Sequence, residues 1–298
     1  MVDALRRLIV LAGVVLPVGA WARTGVAPHG GTVFADQHYS SLSDRLTMDI
    51  YVPVSAGRPP LVIWVHGGGF WGGDKRDLQV LGRVLPVLEA AGIAVAAVNY
   101  RLSGEAIWPA QRDDLAAAVA FLRDRAAEYG CDGDRMAIFG ASAGGTLALV
   151  AGFDGAAGLR AVAAWYPATQ FDQMDSDMGQ EVPVPRAQSM ARKGSMISRL
   201  VGKAVGVDPA PALRASPLTV LAGVPPDQAL PPVLLAAGAE DRTISGRQSE
   251  RMAVALRGRA RPPLVVFRVY PASGHGSGAF DGVAIGDLRD FLVAHLGP

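Results

Sequence analysis

The sequence predicts an α/β fold with a mostly parallel central sheet flanked by helices. From about residue 30 onward, short apolar runs alternate with segments of helical periodicity, and this alternation is typical of parallel sheets. Several of the short runs are apolar almost throughout, as strands are when helices cover both faces of a sheet. The composition, 50% hydrophobic and 18% charged, is typical of a globular protein.

The charge of the chain bears on its partners. The 298 residues carry a formal net charge of +1 and no long run of like charge. Nucleic acid or an anionic membrane surface is therefore not indicated as a partner, and a neutral or weakly charged small molecule fits better. Cys131 is the only cysteine, so no intrachain disulfide can form, but a chain of this length can bury a large core without one.

The first residues have the pattern of a signal peptide. Arg6 and Arg7 precede an apolar run over residues 8–20, and Ala20-Trp21-Ala22 fits a small-x-small cleavage site. A membrane-spanning helix needs about 20 apolar residues, so no permanent membrane anchor is expected. The prediction is a signal peptide over 1–22, cleavage after Ala22, and a secreted or periplasmic protein. A short N-terminal helix or an uncleaved anchor is the alternative.

The predicted elements follow in chain order. Seven segments are predicted to be strands, namely 46–53, 61–66, 93–100, 135–140, 161–167, 232–238 and 264–270. Three apolar faces with spacings of three and four predict helices; they are Leu78, Leu81, Leu85 and Leu88, then Leu115, Ala118, Val119, Leu122 and Ala126, and finally Ile285, Leu288, Leu292 and Leu296. Pro86 is expected to kink or restart the first of these helices.

One interval, residues 168–231, separates two predicted strands by more than sixty positions. Its first part is polar and contains three methionines. A structureless loop of such length is uncommon in a compact domain unless it has a function. A lid or small cap over a site and a solvated insertion are both open interpretations.

The segment GASAG at 140–144 matches the nucleophile elbow, G-x-S-x-G. A predicted strand precedes it and an apolar helical segment follows, as the motif requires. The turn from strand to helix is too sharp for side chains at its flanks, and it exposes Ser142 Oγ at the helix N-terminus. A chance match is the alternative, because the pattern is short.

Two loops near the C-terminus contain the candidate acid and base. Serine at its free pKa is a weak nucleophile, so Ser142 needs a base that is oriented by a third group. In such folds the chain order is serine, acid, histidine. Asp241 is the expected acid, with its neighbour Glu240 as the competing carboxylate. His275, in a glycine-flanked loop, is the expected base, because His295 lies within the C-terminal helical pattern.

The stretch HGGGFWGGDK at 66–75 has five glycines directly after a predicted strand. Acyl transfer through a serine creates an oxyanion that needs preorganised N–H donors. Gly68 and Gly69 are the expected donors from this loop, together with the N–H of Ala143. His66 is expected to organise the loop by hydrogen bonding. A phosphate-binding loop is the alternative, but the sequence lacks both the Gly-Lys-Ser/Thr ending and a following ribose-binding acid.

With these motifs the chain resembles α/β-hydrolase carboxylesterases, in particular the bacterial feruloyl-esterase-like and acetylxylan-esterase-like group, and more distantly the hormone-sensitive-lipase group. The motifs that carry the resemblance are HGGGFWGGDK, VNYRL, the run WPAQRDDLAAAVAFLRDRAAEYGCDGDRMAIFGASAGG, ASPL and AEDRTI, in the family's usual order. The resemblance runs from about Leu46 to the C-terminus. It implies the α/β-hydrolase fold, a triad of Ser142, Asp241 and His275, and no metal or organic cofactor.

Two departures from the family pattern limit what can be carried over. The hormone-sensitive-lipase group has an Asp before its nucleophile, where this chain has Ala141. The polar stretch 172–200 matches nothing in the family, so the acyl and alcohol pockets are not implied. Four aromatic side chains are candidates for the pocket, each equally open to a core role: Phe70, Trp71, Trp108 and Tyr166.

The leading functional prediction is a serine esterase, with residues 23–298 as its catalytic domain and a small-molecule ester as its substrate. It is expected to cleave short acyl or aryl esters through an acyl-enzyme. An aryl-formamidase-like amidase is an alternative, but the predicted export disfavours it. A peptidase of the prolyl-oligopeptidase type is another alternative, but this sequence lacks the propeller pattern of such peptidases. A catalytically silent hydrolase-fold binding protein is the alternative from another class, although no triad residue is missing.

Overall fold

The computed structural model describes residues 23–26, 30–179, 184 and 189–297. The predicted signal peptide, 1–22, lies outside these described residues. The strands in the described ranges are β1 Arg23–Val26, β2 Thr32–His38, β3 Thr47–Val52, β4 Pro60–Val65, β5 Ala94–Val98, β6 Asp132–Ala141, β7 Ala161–Trp165, β8 Val233–Gly238 and β9 Val265–Tyr270. The helices there are α1 Leu81–Ala90, α2 Ala110–Arg125, α3 Ala143–Phe153, α4 Met174–Gly179, α5 Met196–Leu200, α6 Ala210–Ala215, α7 Pro217–Ala222, α8 Gly246–Arg257 and α9 Val283–Leu296.

The described strands form one sheet in the order β1-β2-β3-β5-β4-β6-β7-β8-β9. The pairs β1–β2, β2–β3 and β3–β5 are antiparallel. The remaining part of the sheet, β5-β4-β6-β7-β8-β9, consists of six strands that are parallel to one another. The predicted mostly parallel sheet is thus confirmed, and all seven predicted strands are present. β1 and β2 were not predicted.

β4 illustrates why the central strands are apolar almost throughout. Leu61, Ile63 and Val65 face one side of the sheet and join a core with residues of α2, α3 and α8. Val62 and Trp64 face the other side and join a core with residues of α1 and α9. Helices therefore cover both faces of the sheet, and every side chain of β4 is buried.

The prediction for the start of the first helix was wrong. α1 begins at Leu81, so Leu78 lies before the helix and is 79% exposed. The helix also continues through Pro86 without a restart. The apolar face explains the continuity, because Leu85 and Leu88 on either side of the proline are buried against the sheet.

The predicted insertion, 168–231, contains α4 to α7 in its described part. It is tied to the rest of the domain through α8. The buried carboxylate of Asp177 in α4 accepts hydrogen bonds from Gln248 Nε2 at 2.6 Å and Arg251 at 2.7 Å. Gln248 Oε1 in turn accepts from the N–H of Thr169, where the insertion begins, at 2.8 Å. These contacts fix the start of the insertion and α4 against the sheet domain.

Among the described helices, none has the length and apolar character needed to cross a membrane.

Candidate active site

Ser142 lies between the last residue of β6 and the first residue of α3, with φ 56° and ψ −123°. Its flanking glycines are required by close approach of backbone. A Cβ on Gly144 would overlap the carbonyl oxygens of Val65 and His66, and a Cβ on Gly140 would overlap that of Gly144. The helix can therefore pack this closely against β4 only with glycine at these positions. The predicted strand–turn–helix setting of the motif is present.

Ser142, His275 and Asp241 form one hydrogen-bonded chain. His275 Nδ1 lies 2.7 Å from Asp241 Oδ2, and its Nε2 lies 3.0 Å from Ser142 Oγ. A carboxylate can only accept, so Nδ1 donates to Asp241. In the neutral ring Nε2 is then the acceptor for the hydroxyl of Ser142. This tautomer is the one in which Nε2 can take a proton from the serine.

Asp241 is held at the end of β8 by its own backbone surroundings. It is 1% exposed, and its Oδ1 accepts from the N–H groups of Thr243 at 2.7 Å and Ile244 at 2.9 Å. The other oxygen is left for His275. Glu240, the competing carboxylate, has an exposed side chain. The structure therefore brings Asp241, and not Glu240, to the histidine.

Tyr166 packs directly against the histidine ring. It follows β7, and its ring centre lies 4.4 Å from that of His275. Phe280 supports the tyrosine edge-on at 4.8 Å. Burial raises the pKa of the Tyr166 phenol well above its usual range, and the nearby charge of Asp241 adds to the effect. The tyrosine is thus neutral, and it lines the cavity at Ser142 while it fixes the plane of the imidazole.

The glycine loop approaches the serine from β4. A Cβ on Gly67 would lie 3.4 Å from Ser142 Cβ. Gly68 and Gly69 have φ values of 102° and 61°, which favour glycine. Within the described residues, no group accepts a hydrogen bond from the N–H of Gly68 or Gly69. The N–H of Ala143 lies at the first position of α3, where a helix leaves its N–H groups without an intrahelical acceptor.

His66 organises this loop. Its Nδ1–H donates to the carbonyl of Gly67 at 2.7 Å, and its ring stacks on Tyr100 with centres 4.4 Å apart. Burial lowers the pKa of His66 to about 4. The imidazole of His66 is neutral and buried, and it already donates to the backbone. His66 therefore has the structural role that the sequence predicts.

The far end of the loop is fixed by a buried lysine that sequence reasoning missed. Lys75 Nζ lies 2.5 Å from Asp36 Oδ1 and 3.1 Å from Asp49 Oδ1. Arg76 Nε lies 2.6 Å from the other oxygen of Asp49. The two carboxylates belong to β2 and β3, so the anchor joins the loop to the antiparallel part of the sheet. The adjacent charges of Lys75 and Arg76 at the end of the loop could have indicated such an anchor. The partner Asp36 could not be found, because β2 was not predicted.

A cavity of about 300 Å³ opens above Ser142. Besides Ser142, His275 and the glycines 67–69, it is lined by Trp71, Asp77, Gln79, Val80, Ala141, Tyr166, Met196, Thr243 and Gly276. Trp71 is 58% exposed, and the Arg199 guanidinium lies 5.3 Å from the centre of its ring. The structure thus places Trp71 and Tyr166 of the four predicted aromatic side chains at the cavity.

The other two predicted pocket residues, Phe70 and Trp108, do not line this cavity. Phe70 is buried in the core and contacts Phe171 edge-on, with ring centres 6.2 Å apart. Trp108 is half-buried and packs against the same core. Both are apolar enough to join the core, and the turn after Gly69 directs Phe70 inward while Trp71 faces solvent. Met196 was missed, because nothing in the sequence shows that α5 reaches Ser142. Thr243, in the loop after β8, was missed as well.

Across the described ranges, no three His, Cys, Asp or Glu side chains converge in a way that could hold a metal ion.

Comparison with known proteins adds a family to this geometry. Residues 48–256 match the model of the BD-FAE family. Carboxylesterase NlhH of Mycobacterium tuberculosis is 35% identical over 138 residues, which cover 45% of this chain and 43% of that protein. Esterase LipQ of the same organism is 29% identical over 249 residues, covering 80% of this chain and 53% of that one. The chain thus spans about half the length of these curated relatives.

A solved structure shares the fold over nearly its whole length. A truncated carbohydrate esterase from gut microbiota superposes with a TM-score of 0.77 at 24% identity, and the match covers 91% of this chain and 99% of that one. At this identity the likeness concerns the fold. Together with the sheet order, it shows that the chain has the α/β-hydrolase fold.

Proposed function

The chain belongs to the BD-FAE family, whose model matches most of it, and from this premise we propose that it is a serine esterase that hydrolyses carboxylic esters. The observation that carries the proposal is the hydrogen-bonded chain of Ser142, His275 and Asp241 beside the amides of Gly68 and Gly69, which have no acceptor among the described residues. Such a chain activates a serine, and such amides stabilise an oxyanion.

In the first half-reaction, Ser142 Oγ attacks the ester carbonyl carbon while His275 Nε2 takes its proton. The imidazolium that forms is stabilised by Asp241, which remains ionised. The carbonyl oxygen becomes the oxyanion and accepts from the amides of Gly68, Gly69 and Ala143. The tetrahedral intermediate then collapses: the bond to the alcohol oxygen breaks, and Nε2 returns the proton to that oxygen.

In the second half-reaction, water replaces the alcohol. His275 Nε2 takes a proton from the water as its oxygen attacks the acyl carbon, and the same amides hold the second oxyanion. The bond between the acyl carbon and Ser142 Oγ breaks, and the serine oxygen receives the proton from Nε2. The products are one carboxylic acid and one alcohol, and the enzyme returns to its starting protonation state.

The names of the relatives bear on the alternatives. NlhH and LipQ are named carboxylesterase and esterase, which gives no support to an aryl-formamidase-like amidase or to a silent binding protein. We also propose that the enzyme acts outside the cytoplasm. The basic residues, the apolar run and the small-x-small site within 1–22 support this proposal.

The proposed function is tested with Ser142→Ala and Ser55→Ala. Hydrolysis of 4-nitrophenyl acetate should be rapid in the wild type and in Ser55→Ala, an exposed serine. Ser142→Ala should lose about 10⁶-fold in kcat, the scale for loss of a triad serine. An alkyl phosphonate should label Ser142, located by peptide mass spectrometry. Labelling elsewhere, or activity that survives Ser142→Ala, would overturn the proposal.

A further inference from the structure

Four of the chain's eight methionines line a single cavity beside the active site. They are Met174, Met178, Met190 and Met196, and the cavity measures about 330 Å³. Pockets that bind small molecules measure about 300–1,000 Å³, so this cavity is large enough to hold part of a ligand. The methionines come from the insertion, for which the family resemblance implies no role.

This methionine cavity adjoins the catalytic cavity. Met196 and Thr243 line both cavities. Met196 also lies beside the glycine loop, because its Cβ is 3.5 Å from the position that a Cβ on Gly69 would take. A substrate held at Ser142 can therefore extend past Met196 into the second cavity.

The walls of the methionine cavity are held by hydrogen bonds. Asp177, between two of the methionines in α4, is buried and bonded to Gln248 and Arg251. Asp175, which also lines the cavity, accepts from Ser189 Oγ at 2.6 Å and Met190 N at 2.8 Å. The carboxylate of Asp175 thereby holds the 189–191 turn against α4.

The four methionines form the apolar side of the cavity, and Asp175, Arg192, Arg242 and Thr243 are the polar residues of its lining. Arg192 and Arg242 are exposed, so their charged heads can stay in water while their stems extend the apolar wall. Methionine is unbranched, flexible and polarisable, and it fits itself to apolar ligands of varied shape. The methionine side of the cavity therefore suits an unbranched aliphatic chain.

We propose that the methionine cavity is the acyl pocket, and that the enzyme prefers esters of unbranched aliphatic acids longer than acetate. The proposal rests on the proposed esterase function. The alcohol oxygen must meet His275 Nε2 to receive its proton, so the alcohol lies beside His275 and Gly276. Met196 instead adjoins Gly69, which holds the carbonyl oxygen, and this assigns the cavity to the acyl chain.

The test is a series of 4-nitrophenyl esters from acetate to octanoate. Each methylene that leaves water for an apolar pocket should raise kcat/KM about fourfold. Hexanoate should therefore exceed acetate by about 10²-fold. A parallel series of ethyl, butyl and hexyl acetates should change kcat/KM by less than about tenfold across the series, since the alcohol lies outside the pocket.

Variants locate the effect. Met178→Trp fills the cavity and should reduce the hexanoate-to-acetate ratio at least about tenfold. Met190→Phe, at a half-buried position, should reduce it in the same direction and covers the case in which Met178→Trp fails to fold. The matched control is Met252→Leu, a buried methionine of α8 that lines neither cavity, and it should leave the ratio unchanged.

The outcomes separate the two proposals. If the wild type hydrolyses no ester, the proposed function fails. If it hydrolyses esters with a ratio near one, or with a ratio that neither filling variant changes, the acyl pocket is wrong while the esterase stands. The acyl assignment would also be overturned if kcat/KM depended steeply on the length of the alcohol and not on the length of the acyl chain.

Discussion

At the scale of single residues, the site depends on backbone conformations that its neighbours enforce. Ser142 has a φ of 56°, and such a conformation costs a non-glycine residue about 1–3 kcal/mol. It is held because its N–H donates to Trp165 O at 2.9 Å and its carbonyl accepts from Thr146 N at 3.0 Å. The strain is local, and it points the hydroxyl away from the sheet and toward His275.

Asp241→Asn should lower kcat by about 10⁴, the scale known for loss of charge at a triad acid. An amide in that position can present its NH₂ group to His275 and favour the wrong tautomer. The matched control is Glu240→Gln, an exposed neighbour, for which we expect less than about tenfold loss. Steady-state kinetics on both variants, with folding checked by circular dichroism, decides. Equal losses would mean that the two carboxylates act jointly, and a larger loss for Glu240→Gln would show that the wrong carboxylate was assigned.

Gly69→Val should reduce kcat by about 10²–10³, the usual cost of losing one oxyanion donor. The φ of Gly69 is 61°, and a Cβ there would lie 3.1 Å from Trp71 Nε1, so valine should rotate the amide away. Gly57→Val, at an exposed turn with open space around the new side chain, is the control and should behave as wild type. A rise in KM alone would place Gly69 in the pocket wall instead.

At the scale of elements, the glycine loop 66–75 is held at both ends. His66 stacks on Tyr100 at its start, and Lys75 is buried between Asp36 and Asp49 at its end. Glycine alone would leave the loop with many conformations. The two anchors select one of them, so that the amides of the loop are fixed before a substrate arrives.

The buried imidazole makes the stability of the protein depend on pH. The pKa of His66 is lowered to about 4 from the usual 6.5, chiefly by burial, while Arg45 and Asp74 act in opposite directions. Between these two values the unfolded chain binds a proton that the folded protein does not. His66 should therefore lower the free energy of unfolding as pH falls, by about 2–3 kcal/mol between pH 7 and pH 4.5.

Urea unfolding of wild type and His66→Phe at the two pH values isolates this contribution, because other acidic groups affect both proteins alike. The free energy of unfolding of the wild type, taken relative to that of His66→Phe, should be lower at pH 4.5 than at pH 7 by that amount. The control is His38→Phe, at an exposed histidine. Its difference from wild type in the free energy of unfolding should be the same at both pH values. A difference for His66→Phe that does not vary with pH would contradict the prediction.

At the scale of the whole molecule, the parallel sheet assembles the site at one edge. The glycine loop follows β4, Ser142 follows β6, Tyr166 follows β7, Asp241 follows β8 and His275 comes soon after β9. All of these strands are parallel, so their carboxyl ends meet at the same edge, where ligands bind in open α/β sheets. Residues more than two hundred positions apart therefore lie around one cavity.

Export is the prediction that concerns the entire chain. The small-x-small site predicts cleavage after Ala22, and Edman sequencing of protein from the exported fraction should then read Arg-Thr-Gly-Val. Such cleavage would leave β1, Arg23–Val26, intact to pair with β2. Ala22→Leu should slow the processing. Protein with an intact Met1 in the exported fraction would contradict the prediction.

The sequence by itself determined the elements that depend on local patterns. Periodicity predicted the central strands, because strands covered by helices on both faces must be apolar along their length. The elbow at Ser142 was readable because the sharp turn requires glycines at set positions. β1 and β2 escaped notice, because they lie in the antiparallel part of the sheet, where β2 is mostly only half-buried and contains polar residues such as Asp36.

Only the tertiary structure decided which of several similar neighbours occupies the site. Glu240 and Asp241 are both carboxylates, and the burial of one depends on the loop after β9, which is distant in sequence. Phe70 and Trp71 are both aromatic, and one turn directs the first into the core and the second to the cavity. The methionines of the insertion likewise acquire their common cavity only when α4 and α5 pack beside Ser142. These choices rest on contacts between distant segments, and no local pattern encodes such contacts.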